Sequence, residues 1–402
     1  MTQKSDIVGA AGLAHGMDGS LVEPDWPPLT AGEVRTILRD FDGCNGTTKI
    51  ISVSPRPFSA ASLVEVCGRQ VFVKRHHRSI RDREGLREEH CFLAYLRANG
   101  APVPQVLATH HGETAIETTQ WTYEVHATPD GIDLYEEAIS WTPFRSTDHA
   151  RSAGQMLARL HQAAEGFEAP ERKIRPLVSS FSIFASTNPA AALQTYICAR
   201  PALADHTSTC RDCAEALQLL TPFHVELSQH LCALKPLWTH NDFHASNLFW
   251  SEASDQANAV AAIDFGLADR TNAVHDLAIA IERNIVEWLM LVKDPEHPND
   301  VVIHFDHLSA LLGGYEQVRP LSDDEAAALA PMTAVCHAEF ALTEADYFLG
   351  VLRSPDKARV ATRDYLVGHA HWFHSAAGRE LLDSLRRWAT DRKAGAHQAA
   401  RR

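Results

Sequence analysis

Residues 238–250 read Trp238-Thr239-His240-Asn241-Asp242-Phe243-His244-Ala245-Ser246-Asn247-Leu248-Phe249-Trp250. A second short stretch, Ile263-Asp264-Phe265-Gly266, follows them closely. The first stretch contains the pattern His-x-Asp-x-x-x-x-Asn, and the second contains Asp-Phe-Gly. In this order, the two patterns indicate phosphoryl transfer from a nucleoside triphosphate.

The residue types in these motifs match the demands of that chemistry. A carboxylate must orient the attacking hydroxyl group and accept its proton, and we predict that Asp242 is this catalytic residue. Oxygen ligands must hold Mg²⁺ against the phosphates, and we predict that Asn247 and Asp264 supply them. Water molecules and phosphate oxygens supply the other ligands of Mg²⁺. One amide oxygen and one carboxylate are therefore a plausible set of ligands from the protein.

The flanks of both motifs are apolar and strand-like. Residues 237–239 and 247–250 predict short strands on either side of a tight loop, and residues 259–263 predict a third strand that ends at Asp264. Either motif alone is also compatible with ordinary turn chemistry at a strand end. Their combination in this order favours a loop and a strand end that face one metal site.

Enzymes with these motifs also need an upstream lysine for the nucleotide phosphates and a helix glutamate that holds it. Residues 71–74 alternate as in a strand that ends at Lys74, a pattern also compatible with an edge lysine in solvent. Glu89 lies on the same face of a predicted helix as three leucines. Burial of an unpaired carboxylate on such an apolar face is costly, so Glu89 needs a partner. We predict a pair between Lys74 and Glu89, with Glu88 as the alternative.

Together with further short motifs, these residues resemble the aminoglycoside phosphotransferase and choline kinase-like family over roughly residues 45–350. Homoserine kinase-like enzymes belong to this family, which has the protein-kinase-like fold and phosphorylates small molecules. The motifs that carry the resemblance are Lys74, Glu88-Glu89-His90, Gly100-Ala101-Pro102-Val103-Pro104, Leu157-Ala158-Arg159-Leu160-His161, His240 to Asn247 and Ile263 to Gly266.

The resemblance implies ATP, or GTP, as the phosphoryl donor and Mg²⁺ as the cofactor. It implies the same roles for Asp242, Asn247 and Asp264 as the chemistry does. In the family, a hinge between the lobes contacts the adenine through main-chain atoms. The matching residues here are Val125 and Ala127, at the end of an alternating stretch followed by the turn 129–131.

The fold class expected from these patterns is α+β, with a protein-kinase-like two-lobed architecture. A small antiparallel β-sheet with one αC-like helix forms the N-terminal lobe, and a larger, mainly helical lobe follows. The predicted boundaries are 1–28 for a loosely ordered segment, 29–128 for the nucleotide-binding lobe, 129–390 for the helical lobe with the catalytic loop and acceptor site, and 391–402 for a solvated tail. A capping box at Thr30 and Glu33 predicts a helix to about residue 41, and residues 165–210 show few regular patterns.

Two departures from protein kinases narrow the function. Asp276 follows Gly266 so closely, without an Ala-Pro-Glu motif, that no activation loop able to hold a peptide fits between them. We therefore expect a small molecule rather than a protein as the substrate. Asp276 opens the apolar run 277–281, which predicts a role as a helix N-cap.

The second departure concerns the phosphate-binding loop. Neither G-x-G-x-x-G nor the P-loop pattern occurs, and the predicted turn between the first two strands spans residues 54–62. Small residues in this turn allow close approach of backbone N–H groups or hydroxyls to phosphates, so we predict that Ser59 and Ser62 neighbour the phosphates. An ordinary hairpin loop is the alternative.

Composition is compatible with a cytoplasmic enzyme that has more than one domain. The chain has 402 residues, of which 45% are hydrophobic, and a formal net charge of −14. The negative charge argues against a nucleic-acid partner. No apolar run approaches the length of a bilayer span in this sequence reading, so we expect no membrane partner and a cytoplasmic location. The sequence does not determine the oligomeric state.

The expected function is ATP-dependent transfer of the γ-phosphoryl group to a hydroxyl of a small polar molecule. An aminoglycoside-like antibiotic and an amino alcohol such as homoserine are the acceptors considered, because clustered carboxylates suit an amine. The alternative is a pseudokinase-like protein that binds nucleotide and acts through a partner. The acidic candidates for the acceptor site are Asp130, Asp133, Glu136, Glu137, Glu339, Glu344 and Asp346.

Overall fold

The structure is a computed structural model that describes residues 24–54 and 56–399, with side chains described to residue 394. Five antiparallel strands form the first sheet in the order β1-β2-β3-β5-β4. One helix, α2 (Arg83–Ala98), is inserted between β3 and β4. The strands are β1 (Thr48–Val53), β2 (Ala60–Val66), β3 (Arg69–His77), β4 (Ala115–Glu117) and β5 (Trp121–Ala127).

A mainly helical part follows this sheet, as the sequence predicts. Two small antiparallel pairs, β6 with β9 and β7 with β8, carry the catalytic motifs. These strands are β6 (Pro236–Thr239), β7 (Leu248–Trp250), β8 (Ala259–Ala262) and β9 (Asp269–Asn272). The helices are α3 (Thr147–Ala164), α4 (Pro189–Cys198), α5 (Pro201–Ala204), α6 (Thr207–Leu227), α7 (Ala273–Ile285), α8 (Trp288–Lys293), α9 (Phe305–Val318), α10 (Asp323–Val335), α11 (His337–Gly350), α12 (Pro355–Arg359), α13 (Gly368–Trp372) and α14 (Ala376–Ala399).

The first helix, α1 (Ala31–Leu38), covers the outer face of the first sheet. The predicted capping box is confirmed, because the Thr30 side chain accepts from the Glu33 amide and the Glu33 carboxylate accepts from the Thr30 amide. The helix ends at Leu38, before residue 41. Its buried side chains pack with Val73 and Val125 of the sheet.

Strand register separates two faces of the first sheet. Lys74 pairs with Ala61 on one side and Glu124 on the other, so these side chains share the face opposite Val73. Phe72 pairs with His126 on this same face, which we call the cleft face.

Close packing in the helical part requires glycine at one helix crossing. A Cβ atom at Gly154 of α3 would overlap the Leu311 carbonyl oxygen of α9, and a Cβ at Gly314 would overlap the Arg151 carbonyl oxygen. The two backbones therefore approach too closely for any side chain. The α3–α9 contact belongs to a large core in which α7 is wholly buried.

Three predicted features differ from the structure. Residues 24–28 of the predicted loose segment are packed rather than free, since Trp26 stacks on His77 at 4.9 Å between ring centroids; residues 1–23 lie outside the described residues. The stretch 165–210 contains a regular helix, α4, which begins with Pro189. The predicted tail is helical to Ala399, and Arg392 of α14 forms an ion pair of 2.7 Å with Glu316 of α9.

One stretch of the described residues, Asp323–Gly350, is long and apolar enough to cross a membrane by these two criteria alone. The sequence reading missed it. In the structure it consists of α10 and α11, and 94% of its most apolar window is buried inside the protein. Burial of this kind is typical of core helices.

Candidate active site

The loop between β6 and β7 and the end of β8 bring the two sequence motifs together. Asn241 and Asp264 both have positive φ angles, +62° and +63°, a conformation that costs energy in non-glycine residues and is concentrated at functional sites. The Asn247 amide nitrogen donates to the Asp242 carbonyl oxygen at 2.9 Å and to its carboxylate at 3.3 Å. Asn247 also lines the cleft between the first sheet and this loop.

Asp276 fixes the backbone of this loop. Its carboxylate accepts from the backbone N–H of His240 at 2.9 Å and of Asn241 at 2.8 Å, and it contacts His161 Nε2 at 3.0 Å. The helix N-cap is Asn272, so the predicted N-cap role of Asp276 is wrong. Asp276 lies inside the first turn of α7, where its buried carboxylate reaches across to a loop far away in sequence.

Asp242 lies in a positive environment. Its carboxylate oxygens are 3.5 Å from Arg283 Nη2 and 3.6 Å from His244 Nε2. Burial alone would raise the pKa of Asp242, but His244 and Arg283 lower it below the ordinary aspartate range. Asp242 is therefore ionised at neutral pH, as a group that orients a hydroxyl and accepts its proton must be.

Lys74 lies on the cleft face next to Asp264, with 3.4 Å between Nζ and Oδ1. Burial opposes the charge of Lys74, but the carboxylates of Asp264, Glu124 and Glu89 raise its pKa above the ordinary lysine range. The carboxylate at ion-pair distance is thus Asp264, while Glu89 acts on Lys74 from further away. The role of this lysine toward the nucleotide phosphates stays a prediction.

The structure separates the two candidate glutamates of α2. Glu89 is buried, with 3% of its surface exposed. Glu88 instead faces Arg172 and Arg175, whose guanidinium nitrogens lie 3.4 Å and 2.9 Å from its carboxylate. Glu89 is therefore the glutamate on the interior side of α2, while its role in nucleotide binding stays a prediction.

The loop between β1 and β2 contributes a cation that the sequence analysis missed. Arg56 lines the cleft and donates to the Ser140 hydroxyl at 3.0 Å. Burial lowers the pKa of Arg56, whereas Asp133, Asp242 and Asp264 oppose this effect. Arg56 thus lies within the electrostatic field of both motif carboxylates.

The predicted serines of this region differ in placement. Ser59 lines a small cavity of about 100 Å³ that also reaches Asp242 and Asp264. Ser62 borders the main cleft, but its register partner is Val73, so its side chain lies on the face covered by α1. Both phosphate-binding roles stay predictions.

The predicted hinge contacts involve atoms that already have main-chain partners. The Val125 carbonyl accepts from the Leu107 amide at 2.8 Å, and the Ala127 amide donates to the Gln105 carbonyl at 2.8 Å. The Val125 side chain packs in the cluster beneath α1. The neighbouring residue whose side chain lines the cleft is His126.

A cleft of about 410 Å³ lies between the first sheet and the catalytic loop. Lys74, Arg56, Asn247 and Asp264 all line it, which places two cations and two oxygen ligands around one volume. The donor set of Asn247 and Asp264 fits Mg²⁺, because both side chains offer hard oxygen atoms to the same space. Bound there with a nucleotide, Mg²⁺ would neutralise phosphate charge.

A second group of charged side chains lies on the helical side of Asp242. The guanidinium group of Arg283 lies over the rings of Trp141 and Phe340, with its Cζ atom 3.9 Å and 4.2 Å from their centroids. Burial raises the pKa of Glu344 to about 8. The negative charges of Asp242 and Glu282 also raise this pKa, whereas the positive charge of Arg283 lowers it. Burial, with a contribution from Asp242, raises the pKa of Glu282 to about 7, although Arg283 and His337 act in the opposite direction.

Buried polar atoms in this group lack hydrogen bonds within the described part of the chain. They include both Glu282 carboxylate oxygens, Arg283 Nε and Nη2, and the Tyr365 hydroxyl. Glu282 Oε1 lies 3.0 Å from His369 Nδ1, without hydrogen-bond geometry. Arg283 Nε and Glu282 Oε2 lie 3.5 Å apart, at ion-pair distance but without hydrogen-bond geometry. Unsatisfied buried polar groups are costly, and a functional role or a bound water or ion is a common explanation for them.

The other acidic candidates for the acceptor site are spread over different places. Glu339 accepts hydrogen bonds from the Ser182 and Ile183 amides, and Asp346 lies 3.9 Å from Arg200, so both are engaged in the fold. Asp133 and Glu136 line the main cleft. Asp130 and Glu137 are exposed.

Several arginines at the site were also missed. Arg283 follows the apolar run 277–281 and Glu282, and such a charged pair at the end of a buried stretch was a usable signal. Arg81 and Arg172 both donate to the Gly266 carbonyl, the latter at 2.9 Å. No local pattern marks these two residues, because their partners lie far away in sequence.

Comparisons with known proteins agree with this geometry. The sequence profile of the phosphotransferase enzyme family (APH) matches residues 58–341, more than half of the chain. No curated protein matches the sequence significantly. Nothing in these comparisons supports the pseudokinase-like alternative.

Two solved structures share the fold at low identity. A microcompartment-associated aminopropanol kinase has a TM-score of 0.56 at 17% identity, covering 87% of this chain and 99% of its own. The amicoumacin kinase hAmiN, in complex with AMP-PNP, Ca²⁺ and Ami, has a TM-score of 0.51 at 15% identity, covering 81% and 88%. These matches confirm the predicted protein-kinase-like, two-lobed α+β fold. The chain belongs to the phosphotransferase enzyme family and is a small-molecule kinase.

Proposed function

We propose that the protein transfers the γ-phosphoryl group of Mg²⁺-bound ATP to a hydroxyl group of a small molecule that also carries an amine. The observation that supports the amine is that Glu344 and Glu282 lie close enough to Asp242 for its charge to raise the pKa of both carboxyl groups. When both glutamates are ionised, they and Asp242 place three negative charges around Arg283, so an ammonium group would balance the charge.

In the proposed reaction, each residue of the cleft has a separate task. Lys74 and Arg56 would neutralise phosphate charge, while Asn247 and Asp264 would hold Mg²⁺. Asp242 would orient the acceptor hydroxyl and take its proton as the new O–P bond forms. The Val125–Ala127 segment would lie next to the base, and GTP is a second donor to compare with ATP.

A screen of ATP consumption tests this proposal. Aminoglycosides, amino alcohols and amino acids would be compared with sugars and with analogues that replace the amine by a hydroxyl group. Aminopropanol, which appears in the name of one structural neighbour, would be compared with propanediol, in which a hydroxyl group replaces the amine. We expect turnover with amine-bearing acceptors, and preferential turnover of the neutral analogues would contradict the proposal.

The predicted domain limits and location belong to the same proposal. The first sheet and α1 would form the nucleotide-binding lobe, residues 29–128, and the helices would form the acceptor lobe, residues 129–390. The β5 strand ends at Ala127, directly before this boundary. A cytoplasmic location would supply ATP.

Acceptor affinity should depend on pH through Glu344 and Glu282. With pKa values of about 8 and about 7, both are neutral at lower pH and become negative as the pH rises. The KM for a cationic acceptor should therefore fall between about pH 6 and about pH 9, until the acceptor amine itself loses its proton. Steady-state kinetics across this range measures the effect.

Glu344→Gln should flatten this pH dependence and raise the acceptor KM, with the nucleotide KM unchanged. Glu137→Gln, at an exposed glutamate, is the matched control. An unchanged pH profile in Glu344→Gln would remove this residue from the acceptor site.

Arg56→Gln should reduce kcat/KM for the nucleotide. Loss of a charge-assisted bond to phosphate costs about 1.5–3 kcal/mol, which corresponds to roughly a 10- to 100-fold decrease. Lys49→Gln, at an exposed lysine of β1, is the control and should behave as wild type. Wild-type nucleotide kinetics in Arg56→Gln would show that this arginine serves only the fold.

A further inference from the structure

Three histidines surround one buried carboxylate on the cleft face of the first sheet. Glu124 Oε2 lies 2.7 Å from His90 Nε2 and 2.7 Å from His126 Nε2. The second oxygen, Oε1, lies 2.9 Å from His76 Nε2. The carboxylate side chain is only 1% exposed, and the three imidazoles are 3%, 7% and 13% exposed for His90, His126 and His76.

Three separate elements converge on this point. His76 comes from β3, His90 from α2, and Glu124 and His126 from β5. On the strand, Glu124 and His126 are two residues apart and therefore share a face. The reaction described above gives none of the three histidines a task, although they occupy the wall of the nucleotide cleft.

The chemistry of the group favours a metal ion. His90, Glu124 and His126 each present one ligand atom, and these atoms lie within 4.8 Å of one another. Imidazole nitrogens and a carboxylate oxygen are the ligand set of Zn²⁺ sites with an open fourth position. An imidazole nitrogen and a carboxylate oxygen at contact distance also need a positive centre between them, either a proton or a metal ion.

The surroundings provide the outer contacts that metal ligands require. His90 Nδ1 lies 2.8 Å from the Thr114 hydroxyl, which fixes the ring with Nε2 toward Glu124. His76 plays the corresponding part for Glu124 by contacting its second oxygen. Such partners orient metal ligands and strengthen binding.

An ion has a route to this group. His126 lines the main cleft, and His76 lines the smaller cavity beside it. Lys74 is the register partner of Glu124 on β3, so the group adjoins the phosphate end of the cleft. It is distinct from the oxygen ligands Asn247 and Asp264.

We propose that His90, Glu124 and His126 form a binding site for a divalent transition-metal ion of the zinc class, with His76 as an outer partner. The ion would replace the shared protons between the imidazoles and Glu124. Its charge would then lie next to Lys74 and alter the nucleotide cleft without contacting Asp242.

Cobalt and zinc titrations of the full chain test this site. Wild-type protein stripped with a chelator should bind one equivalent of Co²⁺ with the absorption spectrum of a low-coordinate nitrogen and oxygen site, and Zn²⁺ should displace it. His126→Asn and Glu124→Gln should each lose this equivalent. His76→Gln should retain it with about 10- to 100-fold weaker affinity, as expected for an outer partner.

A second group that must be controlled is His304, Asp306 and His307, which also offers three ligand atoms within the described residues. The His304→Asn/His307→Asn variant should keep the cobalt equivalent. Loss of the signal in this variant, or its persistence in His126→Asn, would overturn the proposal.

X-ray absorption of cobalt-loaded wild-type protein avoids any folding defect in the variants. Imidazole and oxygen scatterers around cobalt are expected. Sulfur scatterers would assign the ion to the free cysteines and overturn the proposal, as would the absence of a stoichiometric equivalent.

Discussion

Asp242→Asn should lower kcat for phosphoryl transfer by at least about a hundredfold, the usual minimum for loss of a positioned acid or base. The substitution keeps the side-chain volume but removes the charge that orients the acceptor hydroxyl and accepts its proton. Arg283 and His244 keep Asp242 ionised in the wild type, so no neutral form contributes at ordinary pH. Single-turnover kinetics with an acceptor from the screen would measure the chemical step directly.

Nucleotide binding separates this effect from a folding defect. Asp242 lines the smaller cavity and is not among the described residues that line the main cleft, so Asp242→Asn should bind the ATP–Mg²⁺ complex about as tightly as wild type. Asp205→Asn, at an exposed aspartate, should retain full turnover. Near-wild-type turnover by Asp242→Asn would contradict the catalytic assignment, whereas loss of both binding and turnover would indicate misfolding.

The catalytic loop and the Asp-Phe-Gly motif were predictable because their chemistry is local. Asp242 and Asn247 are close in sequence, and the apolar flanks of the loop determine short strands by residue type alone. Lys74 was also predictable, because its strand alternates between two faces. Its predicted pair with Glu89 is not the close one, since the carboxylate at ion-pair distance is Asp264.

The remaining site residues depend on contacts between distant parts of the chain. The position of Arg56 depends on the conformation of the loop between β1 and β2. The small residues of this loop are compatible with several conformations, so the sequence does not predict where Arg56 lies. Asp276 resembles a helix cap in sequence, because a carboxylate before an apolar run is the common capping pattern. Only the folded chain brings it to the His240 and Asn241 amides, 36 and 35 residues away.

Asp276→Ala should reduce the free energy of unfolding by about 3–5 kcal/mol, because each buried donor left without its acceptor costs about 1–3 kcal/mol. The reason is that two buried backbone N–H groups and His161 all lose their acceptor together. The catalytic loop would also lose its anchor, so kcat should fall even at temperatures where the variant stays folded. Denaturant unfolding and steady-state kinetics measure the two effects.

The size of the loss decides between the two roles of Asp276. A residue that only caps a helix costs about 1 kcal/mol when replaced by alanine. Asp148→Ala is the matched control, since Asp148 is an exposed acidic residue in the first turn of α3. It should cost less than about 1 kcal/mol and leave kcat unchanged. A similarly small loss of stability in Asp276→Ala, with unchanged kcat, would show that this residue stabilises only its own helix. A large decrease in both the free energy of unfolding and kcat would show that α7 holds the catalytic loop in its active geometry.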